Sequence, residues 1–320
     1  MATTDSDNLN YRGELFLYGK TKAPFLSAIA SRAKRTRSWT FPVSQPWTIS
    51  AASQETQSED TAATAGTPTT IDRSQVYNVL QIMKYDVEAT FRKESANGDF
   101  SGINVDGSNP VLDELGFQKK GGLIQMATNI EYSFLQGAYA GPSTSATNTK
   151  TRGLQEAITT NTVAGGSARL SKAMIEELIR EMVDSGAPFD NVMVIGNSFQ
   201  LQKLSDIYGY APADRTVGGV AIERFLVPGG GVFNTMFSPQ MPTDEVYFVD
   251  MSFVAPVFMP ALFPADGNVA PTSANEQGAD VLWQPTAITA AKRGGFFYTQ
   301  IGLDHGPEMY HGSITGLATS

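Results

Sequence analysis

At 320 residues the chain is long enough for one extended domain or two interleaved ones, each with a real core. Its 23 basic against 32 acidic side chains leave a net charge of −9, which excludes coating nucleic acid through bulk positive charge. The absence of cysteine removes disulfides, thiolate nucleophiles and cysteine zinc sites, and suits a reducing cytosol. The start MATTDSDNLNYRGELF lacks the basic and apolar pattern of a signal peptide, and no run of about 18 apolar residues marks a membrane span, so a soluble protein is expected.

Residues 1–37 read as an N-terminal arm, with two apolar patches, ELFLYG and APFLSAIA, separated by Gly19 and Pro24 and needing a surface to lie on. Arg32, Lys34, Arg35 and Arg37 in SRAKRTR make the one dense basic patch. It is either a solvated arm or a contact with nucleic acid or an acidic neighbouring subunit. Over residues 38–50, Trp, Phe, Val, Ile and Thr favour strand, while Pro42 and Pro46 each remove a ladder donor and point to a sheet edge. A tip of Ser, Thr, Ala and Gln follows, and then RSQVYNVLQIMKYDVEATF is again strand-like. At about 3.3 Å per residue a twelve-residue limb reaches roughly 40 Å, so a hairpin over residues 38–92 extends beyond its own domain.

Asn109 and Pro110 open a helix whose stripe of Leu112, Leu115, Leu123, Ala127, Ile130 and Phe134 runs to Gly137. Gly116, Gly121 and Gly122 inside it cost about 1 kcal/mol each relative to Ala, so a bend or a late start is expected, with close packing against another backbone as the reason. A linker-like GPSTSATNTKT precedes TRGLQEAI, which returns the chain to the body. From Ser171 an amphipathic helix carries Met174/Ile175, Leu178/Ile179 and Met182/Val183 on one stripe and ends at Gly186. NVMVIG reads as a core strand and SFQLQKLSDIYG as a helix. VAIERFLVP, VFNTMFS and EVYFVDM read as strands, with PGGGVF as a hairpin connection. The last stretch, RGGFFYTQIGLDHGPEMYHGSITGL, alternates enough for strand and is expected to rejoin the first region. Neither a βαβ repetition nor an internal repeat is visible, which leaves an α+β class.

Catalytic chemistry finds no foothold in this pattern. His305 and His311 stand six apart with Gly306 and Pro307 between them, whereas a zincin pair needs the i, i+4 spacing of one helical face; satisfied or exposed loop histidines are expected. GINVDGSNPVLD has Gly102 and Asp113 where a calcium loop needs its first and last strong ligands, so a turn is expected. No GxSxG elbow and no GxxxxGK[ST] loop occurs, and no catalytic, metal or cofactor residue is assigned. An enzyme with carboxylates that converge only in space stays open as an alternative.

The arm, long hairpin, long helix, mixed α/β region and C-terminal return resemble the Hong Kong 97 fold of tailed-bacteriophage major capsid proteins. The segments NYRGELFLYGKTKAPFLSAIA, IEYSFLQG with TRGLQEAI, and VGGVAIERFLVP before EVYFVDM are similar to the SU-ten-type family of these proteins. That resemblance implies an N-terminal arm (1–37), an E-loop hairpin (38–92), a P-domain with the long helix (93–165), an A-domain (166–284) and a C-terminal return to the P-domain (285–320). It implies a non-enzymatic virion protein assembled in the host bacterial cytoplasm, forming hexamers and pentamers of an icosahedral shell. Its partners would be packaged double-stranded DNA held by weak non-specific contact, with portal, separate scaffold and decoration proteins. Trp39, Phe41, Trp47 and Ile49 on the rising limb become candidates for intersubunit burial, the alternative being burial in their own core. Residues 38–83 contain no lysine, so a lysine-to-asparagine crosslink donated from the hairpin is excluded, and scaffolding is expected from another protein because no charged helical extension precedes the arm. An encapsulin-like compartment is the same-fold alternative.

Overall fold

The computed structural model describes residues 11–45, 54, 58–62, 71, 73–95, 114–142, 148–189, 191–208, 215–217, 220–226, 232–261, 278–286 and 290–320. The arm folds as two short helices, α1 (Arg12–Gly19) and α2 (Pro24–Ile29), then a 3-10 turn at Ala30–Arg32 and the two-residue strand β1 (Lys34–Arg35). The apolar patches of the arm are these two helices. Pro24 stands at the first position of α2, where its fixed φ suits the helix and its missing N–H costs nothing.

The next region contains β2 (Thr40–Ser44), a single turn α3 (Glu59–Ala62), β3 (Val76–Val79), β4 (Gln81–Thr90) and α4 (Phe91–Ser95). The long helix α5 (Glu114–Gln136) buries Leu123, Ala127, Ile130 and Phe134 of the expected stripe and Met126 beside them, while Leu115 is half-buried and Leu112 lies outside the described residues. The expected start at Asn109 and the acidic loop of residues 102–113 lie outside the described residues. Beyond it come α6 (Leu154–Ala157), β5 (Thr162–Ala164), α7 (Lys172–Asp184), β6 (Val192–Gly196) and α8 (Ser198–Tyr208). Ser171 opens α7 by accepting from the Met174 N–H, and Gly186, at φ +79°, closes it as its spacing suggests.

Strands β7 (Arg215–Val217), β8 (Val220–Leu226), β9 (Val232–Phe237), β10 (Val246–Asp250) and β11 (Ala255–Phe258) follow. The chain ends with β12 (Val281–Pro285), the thirteen-residue β13 (Lys292–Asp304), a 3-10 turn at Glu308–Tyr310 and β14 (Gly312–Thr315).

Two larger sheets organise all of these strands but β2 and β3, which pair with each other. In the first, β13 is the common member: it pairs antiparallel with β4 over ten positions, from Lys292↔Thr90 to Ile301↔Gln81, and also with β12 and β11. β1 adds in parallel to β11, so the arm completes the sheet edge. The second sheet has seven strands in the order β5-β14-β10-β6-β9-β8-β7, with β10 and β6 fully buried at its centre. The C-terminal stretch therefore divides: β13 joins the first sheet, while β14 crosses to the second, where it lies between β5 and β10. β8 and β9 are antiparallel neighbours from Glu223↔Thr235 to Leu226↔Val232, consistent with the hairpin expected around the Gly-rich run.

The larger core lies between α5, the arm helices and the first sheet. Leu15, Phe25, Leu26 and Ile29 of the arm meet Leu123, Ile130 and Phe134 of α5 there. A second core packs α7 on the seven-stranded sheet through Ile175, Leu178 and Met182. Contact is tight enough that a Cβ on Gly312 of β14 would stand 2.8 Å from Leu178 Cδ1.

Candidate assembly surface

The root of the hairpin is a two-stranded ribbon, β2 against β3, paired Thr40↔Val79, Phe41↔Asn78 and Pro42↔Tyr77, with a register irregularity between Pro42 and Ser44. Side chains alternate across such a ribbon. Phe41 points inward, 5% exposed, and packs with Leu80 and Val257. Of the four proposed interface residues, Phe41 is thus spent on its own chain. Trp39, on the bend before β2, is 58% exposed, and Ile71 and Tyr77 on the returning limb are exposed as well. Trp47 and Ile49 lie outside the described residues.

Besides Phe41, the buried Asn78 fastens this ribbon to the body. Its amide donates to the carbonyls of Leu303 (2.7 Å) and Arg152 (3.1 Å), and its carbonyl accepts from the Arg152 and Val79 N–H groups, both at 2.8 Å. Thr149 adds a bond to the Leu80 carbonyl. Gly302 of β13 allows the close approach, since a Cβ there would meet the Val79 carbonyl at 2.8 Å and the Phe41 ring at 2.9 Å. The result is a rigid base beside which Trp39 and Tyr77 stand exposed.

A second exposed apolar surface lies where β4 meets α5. Ile82 and Tyr132, both more than half exposed, line a groove of about 300 Å³ with Lys84, Tyr85, Met126 and Asn129.

The basic patch is used largely within the chain. Lys34 pairs with Asp304 at 2.6 Å, and Arg35 shares the buried Asp280 with Arg12, at 2.9 and 2.6 Å. The parallel pairing of β1 with β11 brings both cations to these carboxylates. Arg32 is half-buried on the 3-10 turn and Arg37 is exposed on the bend before Trp39.

Both histidines are buried. The His311 ring donates from Nε2 to the His305 carbonyl (2.6 Å) and accepts at Nδ1 from the Asp250 N–H (3.2 Å), an arrangement that requires a neutral ring. Burial, the nearby His311 and the Arg152 charge push the His305 imidazole down to about 4, and burial lowers His311 as well. Burial alone would raise the Glu308 carboxyl, but hydrogen bonds from Thr159 and Thr160 outweigh it and hold Glu308 below its ordinary value. His305, Glu308, Arg152 and Glu156 line a cavity of about 590 Å³ beside Ser44 and Val76 at the hairpin root. Among the described residues no three His, Asp or Glu side chains converge as a metal site, and no helix is long and apolar enough to cross a membrane.

Solved structures share this architecture. The capsid of cyanophage A-1(L) is 11% identical and matches over 100% of this chain and 96% of its own, with a TM-score of 0.62. The SrpI encapsulin of Synechococcus elongatus PCC 7942 is 12% identical over 90% of this chain and 85% of its own, with a TM-score of 0.55. The capsid of a native GTA particle is 13% identical over 91% of each chain, at 0.53. Likeness at such identity establishes the fold, which is that of the Hong Kong 97 shell proteins. No curated protein matches the sequence. The model of the SU10 major capsid protein family matches residues 1–318, and the chain belongs to that family. It is a major capsid protein of a tailed phage, a structural protein rather than an enzyme, and it self-assembles into a shell.

Proposed function

We propose that this subunit forms hexamers and pentamers of an icosahedral shell around packaged double-stranded DNA, assembled in the bacterial cytoplasm with separate scaffold, portal and decoration proteins. In this reading residues 1–37 are the arm, 38–92 the E-loop, 93–165 the P-domain, 166–284 the A-domain and 285–320 the return. Trp39, together with Trp47 and Ile49, meets a neighbouring subunit. The exposure of Trp39 on the bend that leads into a ribbon fixed by Asn78 and Phe41 carries this reading, because that much aromatic area gains burial against another chain. A net charge of −9 fits a container whose wall holds DNA weakly, since a strongly cationic wall would bind it by counterion release.

Electron microscopy of the purified chain should show closed shells. A chain that stays monomeric at every concentration, salt and scaffold condition overturns the proposal. Nuclease-protected duplex DNA is expected inside native particles, and intact shells empty of nucleic acid would instead favour a cargo compartment of the same fold.

A further inference from the structure

Glu131 lies in the middle of α5, is fully buried, and is bonded to two segments far away in sequence. One carboxyl oxygen accepts the Leu26 N–H of α2 at 3.1 Å, and the other accepts the Ser238 hydroxyl in the turn that follows β9. Those partners stand 105 and 107 residues from it. The carboxyl thus joins the arm, the long helix and the end of β9 in the second sheet at one point, beneath the fully buried Phe25, Leu26 and Ile29.

Among the described residues no cation balances it. The elements packed on α5 carry Arg12 and Glu14 (α1), Lys84, Asp86 and Glu88 (β4), Arg92, Lys93 and Glu94 (α4), Glu156 (α6), and Lys292, Arg293 and Asp304 (β13), whereas α2 carries no charge. What acts on the Glu131 carboxyl is burial, opposed by the hydroxyl of Ser238 and the backbone N–H groups of Leu26 and Phe25; none of those charges contributes. An ionised carboxylate here keeps three donors but remains an uncompensated buried charge. A neutral one keeps the Leu26 bond, can donate its proton to the Ser238 oxygen, and carries no such cost.

We propose that Glu131 is a proton-operated clasp: its neutral carboxyl closes the arm and the turn after β9 onto α5, and its ionisation loosens both. Burial raises the group to about 7, so the clasp changes state near neutral pH rather than in acid. Any opening that lets water reach the carboxyl returns it towards its ordinary value of 4.5, so opening becomes easier as pH rises and levels off above the buried value.

The test is hydrogen exchange on the unassembled subunit, corrected for intrinsic rates, followed in peptides covering residues 24–29 and 236–241. Linkage between the two values above gives about tenfold more opening at pH 8.5 than at pH 6 in the wild type. Glu131→Gln keeps the hydrogen bonds without a titrating proton and should show flat, high protection. Ser238→Ala removes a donor that favours the ionised form and should move the transition to higher pH, which keeps the test decisive if Glu131→Gln fails to fold. Wild-type protection that does not change with pH, the same change in Glu131→Gln, or an unmoved transition in Ser238→Ala each overturns the proposal.

Discussion

Asn78 illustrates what one side chain can decide. It sits in VYNVL as an ordinary polar position of a strand, and its meaning comes from partners 74 and 225 residues away. Pattern reading has no access to such partners. Asn78→Ala would leave the Leu303 carbonyl and the Arg152 N–H buried without a partner, at a cost on the order of 3 kcal/mol. Denaturant unfolding of the unassembled subunit should register that loss. An unchanged midpoint would mean that the ribbon is held elsewhere. The histidines carry a second expectation. Their spacing speaks only to a zinc pair and cannot reveal that both rings are buried neutral. A ring held neutral in the fold, while the unfolded chain takes up protons below about 6.5, withdraws stability as pH falls from there, for His305 down to about 4. The drop attributable to His305 is ~3 kcal/mol across that window. His305→Asn should flatten the acid limb of subunit stability between pH 6.5 and 4; an equally steep limb removes His305 as its cause.

Among the elements, those with a strong period were legible and those defined by their neighbours were not. The stripes of α5 and α7 and the apolar runs of β6 and β10 state their own structure, because each residue's burial follows from its place in the repeat. β11 and β12, APVF and VLWQP, are four or five residues long and each contains proline; they are strands because β13 pairs with both. The arm's patches announce a need for a covering surface without naming it, and that surface is α5. Glycine in α5 separates into two cases that sequence alone treats alike. A Cβ at Gly121 would meet nothing within 4 Å, whereas one at Gly122 would stand 2.9 Å from Tyr85 Cδ1 and 3.0 Å from Val87 Cγ2. Gly122 therefore makes room for side chains of β4, where packing against a backbone was expected. Gly121→Ala should stabilise the subunit by up to ~1 kcal/mol through helix propensity, and Gly122→Ala should destabilise it by ~1 kcal/mol or more through overpacking. Thermal melts of the two variants having the same sign would contradict this account of α5.

For the whole molecule the decisive quantity is how much apolar surface the isolated subunit leaves for its neighbours. Trp39 is exposed on the bend before β2, Tyr77 on β3 and Ile82 on β4, while Phe41 and Asn78 fasten the hairpin root. Loss of an exposed ring should therefore leave the subunit intact and weaken only contacts made between chains. Trp39→Ala is expected to melt within a degree or two of the wild type, because surface positions away from special contacts shift stability by about 0.5 kcal/mol or less. At each interface a buried tryptophan anchor contributes ~2 to 4 kcal/mol, so its removal should raise the concentration needed for assembly by one to two powers of ten or more. Replacing residues 51–68 with a short Gly/Ser turn should act in the same direction, since that composition is too polar to supply much core. The control is Phe41→Ala, which opens the small core of Phe41, Leu80 and Val257 and should lower the subunit melt itself. If Trp39→Ala unfolds the free subunit, or if both hairpin variants build shells at the wild-type concentration, the exposed Trp39 is not an assembly contact and subunit cohesion must come from surfaces such as the Ile82 and Tyr132 groove.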